Sequence, residues 1–124
     1  KDKNGETSLI NACNKGDRAV IEYLIKQGAN VNLYNNNGIN PLISAIYKRN
    51  KLLIKYLIEH GADIHGNAKY GETPLNAATL VEDKSLVEYL VENGVDVNVS
   101  NKDGVVPLIS AFHTGNKTLV KYLI

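Results

Sequence analysis

The stretch Lys69-Tyr70-Gly71-Glu72-Thr73-Pro74-Leu75 decides how this chain is read. Gly71 tolerates φ > 0, as a tight turn demands. Thr73 offers a side-chain oxygen to the orphan N–H groups of a helix start, and Pro74 fits the first helical position, where its missing N–H costs nothing. Leu75 opens an apolar face. Moved by 33 residues in either direction, Gly71 falls on Gly38 and Gly104, and one further step back reaches Gly5. One unit is written four times, and a fixed period of this length marks stacked repeats.

The repeats run 3–35, 36–68, 69–101 and 102–124, the last stopping part-way through its second helix. The whole chain, 1–124, is expected to form a single domain. A short first helix is predicted over 7–13, 40–46, 73–79 and 106–112. Leucine followed three residues later by alanine puts both on one face, and the alanine keeps that face thin enough for a neighbour to approach. Asn40-Pro41 and Thr73-Pro74 carry both capping devices. Thr7-Ser8 lacks the proline, and Val106-Pro107 lacks the capping oxygen, which costs on the order of 1 kcal/mol. The second helix carries a broad apolar stripe, as in Leu53-Ile54-Lys55-Tyr56-Leu57-Ile58 and Leu86-Val87-Glu88-Tyr89-Leu90-Val91. Gly28, Gly61 and Gly94 stop it. No single helix pair can hide this stripe, so the units stack, each touching its neighbours.

Composition narrows the function. The chain has 124 residues, 44% of them hydrophobic, enough for a core. Its 14 basic and 13 acidic side chains give a net charge of +1, so no bulk field favours nucleic acid or an anionic membrane. Cys13 is the only cysteine, which excludes an intrachain disulfide and suits a reducing, intracellular compartment, cytoplasmic or nuclear. No apolar run reaches the roughly 20 residues that span a bilayer.

Over essentially its whole length the chain resembles the ankyrin repeat family. The resemblance rests on Gly71-Glu72-Thr73-Pro74-Leu75 with Ala77-Ala78, then Leu86-Val87-Glu88-Tyr89-Leu90-Val91, then Asn93-Gly94-Val95-Asp96-Val97-Asn98. It implies an all-α solenoid of antiparallel helix pairs with projecting hairpin-like fingers, and a protein-interaction role without catalysis or cofactor. Two departures stand out. The family's histidine after Thr-Pro-Leu is Ile10, Ile43, Asn76 and Ile109 here, so its hydrogen bonds are expected to be missing. The glycine between the helices survives as Gly16 and Gly115 but is Arg49 and Glu82 in the middle repeats. If those two stay left-handed, each carries about 1–2 kcal/mol of strain. A less rigid array is expected. Neither end carries a polar capping face, which suggests a segment of a longer array.

Candidate chemistry is weak when the repeats are used as controls. His60, Asp63 and His65 sit close in sequence, but Gln27, Asn93, Asn32 and Asn98 fill the histidine positions elsewhere, so no metal site is assigned. Cys13 aligns with Ile46, Thr79 and Phe112 and reads as a packing thiol. No glycine-rich phosphate loop opens a helix. The sequons at Asn98 and Asn116 read as chance in an asparagine-rich chain. The resemblance also implies asparagine hydroxylation, for which Asn98 fits the pattern and Asn32 fits it less well. Tyr23, Tyr56, Tyr89 and Tyr122 read as a ladder between repeats. Lys48, Arg49, Lys51 and Lys55 read as a solvated basic face.

The resemblance places a partner on the fingertips and the exposed side of the first helices. There the copies differ: repeat one offers polar groups, whereas repeats two to four offer apolar and aromatic ones. The expected partner-binding residues are Ile39, Tyr47, Lys48, Tyr70, Glu72, Leu80, Val81, Val105 and His113, with the two tyrosines as anchors. A protein or peptide partner is expected, no nucleic acid or membrane, and a monomer or end-to-end association of uncapped repeats. The alternative is a structural or targeting segment of a larger protein whose activity lies elsewhere.

Overall fold

Pro41, Pro74 and Pro107 each open a first helix in the computed structural model, which describes residues 8–67 and 69–124. The expectations that fall on Lys3, Asn4, Gly5, Glu6, Thr7 and Ala68 lie outside the described residues. The first helices are α1 (Ser8–Lys15), α3 (Pro41–Tyr47), α5 (Pro74–Leu80) and α7 (Pro107–Thr114). The second helices are α2 (Arg18–Lys26), α4 (Lys51–Glu59), α6 (Lys84–Glu92) and α8 (Lys117–Leu123). Among the described residues there is no strand. The caps follow the sequence. Asn40 Oδ1 accepts from the Ile43 N–H at 2.9 Å and Thr73 Oγ1 from the Asn76 N–H at 3.2 Å, while Val106 makes no side-chain cap.

The second helices have a capping rule that the sequence reading missed. Asp17, Asn50, Asp83 and Asn116 each accept a backbone N–H from the residue three positions on. The signal was a full column of Asp or Asn directly after the inter-helix position.

That inter-helix position is left-handed in all four repeats. Gly16 and Gly115 have φ of 72° and 73°, and Arg49 and Glu82 follow them at 56° and 59°. Hydrogen bonds explain the constraint in the first three. The amides of Gly16, Arg49 and Glu82 donate three residues back, to Cys13, Ile46 and Thr79, and the next amides reach five back, to Ala12, Ala45 and Ala78. This double closure needs a left-handed residue at its centre. Gly28, Gly61 and Gly94 end α2, α4 and α6 in the same way, at φ of 90°, 96° and 93°.

Contacts divide the chain into two compact units, Lys1–Asp63 and Ile64–Ile124. In the first, α1 packs on α2 and α3, and α3 on α4, with Ile10, Ile21, Ile43, Ile46, Leu53 and Leu57 buried among them. In the second, α5 packs on α6 and α7, and α7 on α8, around Leu75, Val87, Leu90 and Leu119. Ala12, Ala45, Ala78 and Ala111 are buried in every first helix, as close helix approach requires.

Candidate functional site

Each of the three described fingers is built on an asparagine. The Asn35 carboxamide oxygen accepts from the Asn37 and Ile39 amides, and its backbone closes a short ladder through Asn35 N–H to Ile39 O. The Gly38 N–H also donates to Asn35 O at 3.1 Å. Asn101 repeats the pattern with Asp103, Val105 and Gly104. The finger that carries Tyr70 differs. Ala68 stands where the others have asparagine, and Asn67 takes over one residue early, accepting from the Lys69 amide through its side chain and from the Tyr70 amide through its backbone. The turn has slid by one position, and Gly71 sits at φ 159° where Gly38 has 76°. Tyr70 remains 54% exposed, with the Lys69 ammonium 5.8 Å above its ring.

Glu72 is not a free surface charge. One carboxylate oxygen accepts from the Thr73 amide at 3.0 Å, the Asn76 side chain at 2.8 Å and the Asn101 side chain at 3.2 Å. Asn76, buried in α5, accepts in turn from the Ser110 hydroxyl of α7. The position where the family has histidine therefore carries hydrogen bonds in this repeat, which an asparagine makes to Glu72 and Ser110. Glu72 and Asn101 tie two fingers together, reinforced by the Lys102 N–H donating to Gly71 O at 3.0 Å.

The remaining expected partner-binding residues separate by exposure. In the first unit Tyr47 and Lys48 are exposed at the end of α3 and Ile39 is half-buried on its finger. A seven-residue helix holds the finger and the tyrosine about 10 Å apart along its axis. In the second unit Leu80 and His113 are exposed at matching ends of α5 and α7, which pack together, and Val105 is half-buried. Val81 is corrected: it is only 8% accessible and belongs to the core. At the same register Lys48 can carry its ammonium out to water, whereas a short apolar valine stays against the protein.

A family model described as ankyrin repeats (3 copies) matches residues 1–68, and one described as ankyrin repeats (many copies) matches residues 81–124. The chain belongs to the ankyrin repeat family. No curated protein matches it. Ankyrin repeats are generally protein–protein interaction modules and are typically non-enzymatic.

The chemistry-bearing residues of this ankyrin chain have structural work. Cys13 is buried in α1, and desolvation pushes its thiol from an ordinary 9.0 up to about 12, which makes it a packing group. The His60 Nδ1–H donates to the Tyr56 carbonyl at 2.8 Å while its ring stacks on Tyr56 at 4.0 Å, so it closes the end of α4. Asn93 does the same for α6, through its side-chain amide to Tyr89 O. Among the described residues no three His, Cys, Asp or Glu side chains gather as a metal-binding group, and no helix is long and apolar enough to cross a membrane. At the helix-two tyrosines, Arg18 of the preceding repeat lies 4.4 Å over the Tyr56 ring, while Tyr23, Tyr89 and Tyr122 are exposed. Asn32 clamps the next exit segment: its side chain donates to Gly61 O at 3.1 Å and accepts from the Asp63 N–H at 2.8 Å.

Proposed function

We propose that this ankyrin chain is a non-catalytic binding module that holds a protein or peptide on its fingertips and first-helix ends. On the second unit Tyr70 is the anchor, with Leu80, Val105 and His113 around it and Glu72 fixing the finger beneath. On the first unit Tyr47 is the anchor, beside Ile39 and Lys48. The supporting observation is that Tyr70 is more than half exposed on a finger whose backbone is otherwise hydrogen-bonded into place. A large aromatic presented by an ordered loop loses little freedom on binding and is the residue type that dominates interface energies. The unpaired, buried Cys13 suits a reducing compartment, so the partner is sought inside the cell.

Capture of partners from the native source on the immobilised chain, followed by mass spectrometry, supplies the ligand for the test. Replacing Tyr47 and Tyr70 together by alanine should weaken its binding by at least about tenfold, the equivalent of 1.4 kcal/mol. The helical circular dichroism should stay unchanged, because neither ring is buried. Unaltered affinity would place the binding surface elsewhere.

A further inference from the structure

Leu52 is 73% exposed near the start of α4, at a register where the other repeats carry Ala19, Ser85 and Thr118. The fold therefore has no need of a large apolar side chain there. Leu52 borders a cleft of about 290 Å³ lined by Gly16, Arg18, Ile21, Asn50 and Leu53, on the edge where the two inter-helix turns of the first unit lie. Ile21 and Leu53 are buried and give the cleft an apolar floor. Arg18 lines the cleft, and the two turns that border it are rich in basic residues. Residues 14–18 and 47–51 hold Lys15, Arg18, Lys48, Arg49 and Lys51 against one carboxylate, Asp17. Asp17 already caps α2, and Glu22 nearby is paired with Arg18 at 3.1 Å. The matching turns of the second unit, 80–84 and 113–117, hold Lys84 and Lys117 against Glu82 and Asp83, so the excess is not a property of the repeat.

We propose that this inter-helix edge of the first unit docks an acidic peptide segment of a partner protein through one apolar anchor residue seated against Leu52. The cleft lies at the small end of the range for ligand pockets, which fits one side chain better than a whole small molecule. Charge complementarity with the lysines and arginines of the two turns selects acidic neighbours for that anchor and speeds their encounter. A membrane surface would call for a band of exposed apolar groups, and the edge offers one leucine at a concavity. The turn 47–51 adjoins the proposed surface around Tyr47 and shares Lys48 with it, so the test is built on Leu52 and Lys51, which that surface does not include.

The test is selection of random short peptides on the immobilised 124-residue chain, with counter-selection on the Leu52→Ser/Lys51→Glu double variant. Both positions are exposed, so the variant should keep the wild-type melting curve. Peptides retained by the wild type alone should carry several Asp or Glu residues around one large apolar residue. Their affinity should fall at least about tenfold in the variant and weaken with added salt. Tyr70→Ala should leave it unchanged. Peptides that bind the variant equally well, or that lack the acidic bias, overturn the proposal. So does binding of phosphatidylserine vesicles or single-stranded DNA that the double variant abolishes while no peptide is retained.

Discussion

Arg49 and Glu82 show what a single residue costs when hydrogen bonding dictates its conformation. Both hold a left-handed backbone because the amides on either side close the end of the preceding helix. Relief of that strain by glycine is opposed by the greater freedom glycine gives the unfolded chain. Arg49→Gly should therefore stabilise by about 1 kcal/mol rather than the full strain, read as a shift in urea midpoint. Glu82→Gly should gain less, because it also loses the Asn116 side-chain bond to the Glu82 carboxylate at 3.2 Å. Cys13 gives the pH-dependent case. Its raised pKa means the folded state favours the neutral thiol, so the contribution is full below pH 9.0 and is lost as pH rises from there toward about 12. At about pH 8 a thiol reagent should label Cys13 slowly in the native chain and at once in urea.

The helix ends and the apolar faces were legible in the sequence because the repeat states them four times. The proline starts, the glycine stops and the buried alanines all stand where a fixed period puts them. What escaped was the Asp or Asn column that caps the second helices, although all four copies state it, and whatever one copy does alone. Asn76 looks like a loss of the family histidine, yet it bonds Glu72 and Ser110 and makes a polar link between α5 and α7. Asn76→Ala should cost about 1–3 kcal/mol, the range for leaving buried partners unsatisfied, measured by denaturant unfolding. The same change by isoleucine, the residue of the other copies, would also strand the Ser110 hydroxyl. Val81 was misread for a related reason: pattern gave its register, and only packing shows that a short apolar side chain there turns inward. The slid turn beneath Tyr70 was visible as Ala68 in an asparagine column, but its direction depends on Asn67 taking over.

On the scale of the molecule, each unit has its own core, and the last of the four repeats in these 124 residues carries two exposed apolar side chains. Ile109 and Phe112 are exposed on α7, although their counterparts Ile10, Ile43 and Asn76, and Cys13, Ile46 and Thr79, are all buried. The 124-residue chain should accordingly associate as its concentration rises. Ile109→Asn with Phe112→Thr, the pair that repeat three itself uses, should reduce that association in sedimentation velocity while preserving helix content. Apolar groups left open in this way are a common source of self-association.

The glycine-centred helix stops also bear on how the protein ages. Asn–Gly pairs are weak points in a chain, because the glycine amide nitrogen can attack the asparagine side chain and close a succinimide. At Asn93-Gly94 that nitrogen is committed to donating its hydrogen to Val91 O at 3.1 Å, and the Asn93 carboxamide is drawn to Tyr89 O. At Asn37-Gly38 the corresponding hydrogen goes to Asn35 O. The bonds that terminate α6 and shape the second finger thus withhold the nucleophile from both pairs, and a chain rich in asparagine is shielded from spontaneous deamidation at these two places for as long as it stays folded.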